Sequence, residues 1–210
     1  FTENVVDNKK FIFLCFISEK SGANILLDAY CEEFKPEEHV CLAMCEIAFT
    51  TKNTVLMDKI NIINNDPLKP NISLIHVSSN EEYEQEFYFE ENLPQIYNYS
   101  DCFVYPYKTE GIGANILEAM ACERIIITTK GGVALDFCNS ENSYLINNNW
   151  EDCKIDYEDE LNLTGNKFEF NVEKEHLKQI LRHVFTNQDE AKIKARKGRE
   201  SVVKNYSYKN

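Results

Sequence analysis

Two glutamates eight positions apart, Glu110 and Glu118, bracket a turn with two glycines. The turn, Lys108-Thr109-Glu110-Gly111-Ile112-Gly113, runs straight into Ala114-Asn115-Ile116-Leu117-Glu118-Ala119-Met120-Ala121-Cys122. The second segment consists of strong helix formers, so the turn is expected to be a helix N-terminus. The first N–H groups of a helix have no partner within it and stand at the positive end of its dipole. Gly111 and Gly113 carry no side chains, so an anion such as a diphosphate can come close to those N–H groups. Asn115 and Glu118, three apart, share one face of the helix, while Ile116, Leu117, Met120 and Ala121 make its apolar side. Glu118 is therefore expected to be a carboxylate in a mostly buried helix beside the anion site. There it can accept two hydrogen bonds, for example from the vicinal hydroxyls of a ribose.

The flanking elements say where such a turn must stand. Cys102 to Tyr105 is an apolar, β-branched and aromatic run of strand type, stopped by Pro106. Ile125 to Thr129 is a second apolar strand, stopped by Gly131-Gly132. Strand, glycine turn, helix and strand make a βαβ unit with parallel strands and a right-handed crossover. In such sheets ligands sit at the carboxyl ends of the strands, where this turn lies. A Gly-x-Gly alone marks only a helix N-terminus; two carboxylates eight apart between two strands mark more.

That combination, Glu110-Gly111-Ile112-Gly113-Ala114-Asn115-Ile116-Leu117-Glu118-Ala119-Met120-Ala121, resembles the E-x7-E signature of the retaining glycosyltransferases of family 4, which have the GT-B fold. Ile125-Ile126-Ile127-Thr128-Thr129 continues the resemblance, and Leu93-Pro94-Gln95-Ile96-Tyr97-Asn98-Tyr99-Ser100-Asp101 is similar to the family's LPxLYxxAD lead-in. It also takes in Phe11 to Phe34 and the last helices. The resemblance implies an α/β fold, a doubly wound Rossmann-like parallel sheet, as one domain over 1–210. This would be the donor half of a GT-B enzyme, with the amino-terminal acceptor domain absent from this chain. It implies transfer of a sugar from a nucleoside diphosphate sugar, with retention, without cofactor or bound metal, to an acceptor the sequence does not name. Glu110 would lie at the donor sugar and Glu118 at the ribose. The N–H groups of Ile112, Gly113 and Ala114 would meet the diphosphate, with Gly111 and Asn115 beside them and Val77 near the base. Without a metal, those N–H groups and nearby cations must stabilise the charge developing on the leaving diphosphate. The family offers two cations in the loop before the glycine that corresponds to Gly22. Here Ser21 stands at one of those positions, and Lys20 is the remaining candidate.

Composition narrows the partners. The chain has 210 residues, of which 43% are hydrophobic, enough for a core in one large domain or two small ones. Its net charge of −13 argues against nucleic acid or an anionic membrane as partner, and requires any grip on an anionic donor to be local. No apolar run approaches membrane-spanning length. The first residues lack the basic-then-apolar order of a signal peptide. Of the eight cysteines, Cys15, Cys102 and Cys122 lie inside apolar elements, and Cys41 and Cys45 have no nearby partners for a zinc site. Reduced, buried thiols and a cytoplasmic location are expected. The N-x-S/T sequons at Asn71, Asn98, Asn162 and Asn205 are what chance gives in so Asn-rich a chain.

The remaining elements follow from periodicity. Phe1 to Asn8 reads as a connector, Phe11 to Ile17 as a buried parallel strand, and Gly22 to Phe34 as a helix. Val40 to Ala48 and Ile72 to Val77 read as strands, and Lys52 to Asn64 as an amphipathic helix. The acidic stretch Glu81 to Glu91 reads as a solvated helix face. Tyr144 to Ile146 is a short strand, 147–171 an irregular acidic loop, and Glu173 to Asn187 and Glu190 to Asn205 are helices. His76, His176 and His183 are expected to pack or face solvent rather than catalyse. Two further functions compete with sugar transfer: a non-catalytic module that keeps the fold for binding, and a nucleotide-sugar epimerase of the same fold. Binding of a nucleoside diphosphate sugar separates transfer from the non-catalytic module.

Overall fold

The structure is a computed structural model describing residues 10–18, 20–47, 54–77, 93–153 and 167–207. In chain order the elements are β1 (Phe11–Ile17), α1 (Ala23–Glu33), β2 (Val40–Ile47), α2 (Thr54–Asn64), β3 (Ile72–Val77), a helical segment α3 over 93–99, β4 (Cys102–Tyr105), α4 (Ala114–Ala121), β5 (Ile125–Thr129) and β6 (Tyr144–Ile146). A two-stranded ribbon β7 (Asn148–Cys153) and β8 (Lys167–Val172), then α5 (Lys174–Thr186) and α6 (Gln188–Asn205), complete them.

β1 to β6 form one sheet in the order β3-β2-β1-β4-β5-β6, every pairing parallel. Covered on both faces, such a sheet needs uninterrupted apolar strands, and β1, β4 and β5 are buried along their whole lengths. Alternate residues feed two cores. Phe13, Cys15 and Ile17 pack with Leu26 and Tyr30 of α1, Leu56 of α2 and Leu177 and Leu181 of α5. Ile12, Leu14 and Phe16 pack on the other face with Tyr97 of α3, Ile116 and Met120 of α4 and Val202 of α6. Helices on both faces make this the doubly wound arrangement expected.

One expectation fails at the described ends of 147–171, which are strands and not irregular loop: β7 and β8 pair antiparallel in the register Asn148↔Val172, with Trp150 opposite Phe170. Their rings lie 4.4 Å apart. The acidic and amide residues around this single apolar pair hid its alternation. The stretch 1–8, expected as a connector, the acidic stretch 81–91 and residues 154–166 lie outside the described residues.

Among the described residues seven cysteines are free thiols, four of them in the strands β1, β2 and β4. Burial pushes the Cys45 and Cys138 thiols up to about 12, so they stay protonated, as core residues do. Among the described residues no helix is long and apolar enough to cross a membrane.

Candidate functional site

The strand order reverses direction between β1 and β4, and a crevice opens where the loops leaving their carboxyl ends diverge. These loops are fastened to each other. Lys108 N–H donates to Lys20 O at 2.9 Å. Gly22 has φ 68°, and a Cβ there would stand 2.0 Å from Pro106 O, so no side chain fits between the two backbones. Ser18, Lys20, Tyr105, Thr109, Glu110 and Gly111 line a hollow of about 420 Å³ between them.

Gly113 caps α4 with φ 72°, the left-handed region that favours glycine, and a Cβ there would stand 2.7 Å from Phe137 Cζ. A Cβ added at Gly111 would meet nothing within 4 Å, so this residue faces open space. The two glycines thus differ: one is demanded by backbone and packing, the other leaves room at the hollow.

Each candidate carboxylate has a tyrosine. Tyr105 donates to Glu110 Oε2 at 2.8 Å, while Gly111 and Gly113 N–H donate to Glu110 Oε1 at 2.9 and 3.3 Å. Tyr97 donates to Glu118 Oε2 at 2.9 Å, its single proton shared with the Asn115 carbonyl at 3.1 Å. Burial first, then the neighbouring carboxylate, pushes both phenols well above their ordinary value, so both remain protonated donors.

Lys20, Glu110 and Gly111 line the hollow together. Ile112 is exposed, Ala114, Asn115 and Glu118 are half-buried on the first turns of α4, and Glu118 does not line the hollow. Val77 ends β3, two strands from β1. Its loop, 78–80, lies outside the described residues. The helix N-terminus is not wholly open to a diphosphate, because the Gly113 N–H already donates to Glu110. Ser21 also differs from expectation. It is buried, its hydroxyl donating to Ser18 O at 2.9 Å and accepting from Ser18 N–H at 3.0 Å, so this position does not present its side chain to the hollow.

The sequence reading missed Tyr97 and Tyr105 as partners of the two glutamates. The ribbon was missed as well: Phe170 N–H donates to Lys108 O at 2.8 Å and its ring covers Gly131, bracing the loop that carries Glu110. His176 accepts from Asn147 N–H and His183 packs against Tyr144 beside Glu190, both in structural roles. The His76 side chain lies outside the described residues. Among those residues, no three His, Cys, Asp or Glu side chains gather as metal ligands would.

Residues 78–200 match the family described as glycosyl transferases group 1. Solved structures share the fold at low identity. HepE from Anabaena, in complex with UDP and glucose, superposes with a TM-score of 0.66 at 15% identity, covering 95% of this chain and 45% of that one. A mutant of TarM from S. aureus, in complex with Fondaparinux, alpha-GlcNAc-glycerol and UDP, gives 0.66 at 16%, covering 95% and 33%. The C-terminal domain of the group 1 family protein LpcC from Francisella tularensis gives 0.62 at 17%, covering 95% and 87%. This chain therefore spans less than half the length of HepE and a third of TarM. A search of curated proteins returned no significant match.

Proposed function

Because this chain belongs to the glycosyl transferases group 1, we propose that it is the donor-binding half of a retaining, family 4 glycosyltransferase using a nucleoside diphosphate sugar. The observation that carries this reading is the meeting of Lys20, Glu110 and Gly111 in a hollow at the switch point of the sheet, on the turn that leads into α4 and Glu118. A nucleoside diphosphate laid there would set its diphosphate against the N-terminus of α4 and Lys20, its ribose hydroxyls toward Glu118 and its base toward the end of β3 at Val77. Glu110 would meet the sugar. In the reaction the bond between the anomeric carbon and the diphosphate breaks, the electron pair leaves with the diphosphate, and an acceptor hydroxyl oxygen bonds the anomeric carbon on the same face while its proton passes to the departing diphosphate. The N–H groups of Ile112 and Ala114, with Lys20, stabilise the charge that gathers on the leaving group. The acceptor is held by a second domain that these 210 residues do not contain, so this chain by itself transfers no sugar. A cytoplasmic location fits the reduced thiols.

UDP and UDP-glucose are the first ligands to test, since they accompany structural neighbours. Glu118→Gln should weaken UDP about tenfold by calorimetry with unchanged melting, a charged hydrogen bond contributing about 1.5–3 kcal/mol. Glu110→Gln should weaken UDP-glucose more than UDP. Full UDP affinity in Glu118→Gln would reduce that residue to a structural one. If the wild-type chain binds neither ligand, the donor-site reading fails.

A further inference from the structure

Phe103, Tyr105 and Tyr107 are two apart, and their rings stand in a row, 5.7 and 5.6 Å between neighbours. The row continues to Tyr97 on one side, 5.4 Å from Phe103, and to Phe170 on the other, 5.9 Å from Tyr107. Tyr97, Phe103, Tyr105 and Tyr107 are all buried, at 1%, 0%, 5% and 0% exposure. Rings packed in this way cannot swing, so their hydroxyls are fixed points, and Tyr105 lines the hollow itself. Each of the three hydroxyls is spent on a different part of the site: Tyr97 on Glu118, Tyr105 on Glu110, and Tyr107 on the Gly131 carbonyl of the loop after β5. Buried phenols usually find a partner. Here two of the three partners are the carboxylates of the donor-site reading.

We propose that Tyr97 and Tyr105 are positioning residues that divide the donor between them, Tyr97 setting Glu118 for the nucleoside and Tyr105 setting Glu110 for the sugar. The inference rests on the donor-site reading above. A carboxylate with one oxygen pinned by a fixed phenol keeps its other oxygen aimed in one direction, so it meets a ligand hydroxyl without first losing rotamer freedom. Tyr105 has a second effect. By holding Oε2 it leaves Glu110 anchored to the protein when a ligand draws Oε1 away from the Gly113 N–H.

Tyr97→Phe and Tyr105→Phe each remove one hydroxyl and keep the ring in its row. Calorimetric titration of UDP and of UDP-glucose, with thermal melting of each variant, tests the division. Tyr97→Phe is expected to weaken both ligands alike, about three- to tenfold, and to add nothing further in a Glu118→Gln background. Tyr105→Phe is expected to leave UDP within about twofold of wild type and weaken UDP-glucose about three- to tenfold. A merely structural role would lower melting and affect both ligands equally in both variants, without the selectivity or the non-additivity. Should a Phe variant not fold, the other still tests its own half. Wild-type affinities in both variants overturn the positioning roles and leave the donor site standing. A wild-type chain that binds neither ligand overturns the donor site and this inference with it.

Discussion

At position 21 the side chain is enclosed, and its hydroxyl makes two hydrogen bonds to the backbone of Ser18. A lysine placed there would lose both and bring an ammonium into an enclosed space, so it reaches the hollow only by opening the turn. Ser21→Lys is therefore expected to lower stability by about 1–3 kcal/mol and leave UDP affinity unimproved. Lys20→Ala, at an exposed position on the rim of the hollow, should leave melting unchanged and weaken UDP about three- to tenfold, the effect fading as salt is added. Melting curves and titrations at two salt concentrations read both; tighter binding by Ser21→Lys would show that this side chain does reach the ligand. Lys20 and Glu110 were named from the family resemblance, and both line the hollow. Tyr97 and Tyr105 were not, since a tyrosine in an apolar run reads as core, and only the fold reveals that its hydroxyl ends on a carboxylate.

Among the elements, the turn before α4 carries the sharpest requirement. Gly113→Ala places a Cβ in the left-handed region and against the Phe137 ring, and the expected cost is about 2 kcal/mol or more. For a chain of this size that is a drop in Tm of roughly 4–8 °C. Gly111→Ala, where the added methyl meets nothing, should melt like wild type, so equal losses in the two variants would contradict the asymmetry. The parallel strands were legible because burial on both faces forces continuous apolar runs: Phe11–Ile17 and Cys102–Tyr105 have no charged or amide residue, and Ile125–Thr129 turns polar only at its two final threonines. The ribbon of β7 and β8 was not, because it stands outside the sheet and in its register the apolar pair Trp150 and Phe170 is set among charged and amide residues.

Across the whole molecule, the order of the strands cannot be read from any local pattern; the resemblance implied a doubly wound parallel sheet, which is found, while the order β3-β2-β1-β4-β5-β6 is known from the structure alone. Less visible was how the two last helices close the fold. Arg182 of α5 donates to Glu33 Oε1 and Glu33 O at 2.7 Å each and to the Glu38 carboxylate, its guanidinium 4.5 Å above the Phe34 ring. Lys174 pairs with Glu32 across 142 positions. α5 thus lies over α1, while α6 lies over α4. During synthesis this is a matter of timing. At roughly 5–20 residues per second, α1 leaves the ribosome on the order of ten seconds before the helix that covers it. Until then Leu26, Leu27 and Tyr30 have no lid, and a nascent chain in that interval is open to proteases and to chaperones that seek apolar surface. A chain stopped after Val172 should stay in that condition, binding a hydrophobic dye and falling to limited proteolysis, whereas the full 210 residues resist. Equal resistance of both chains would mean the sheet closes without its last two helices.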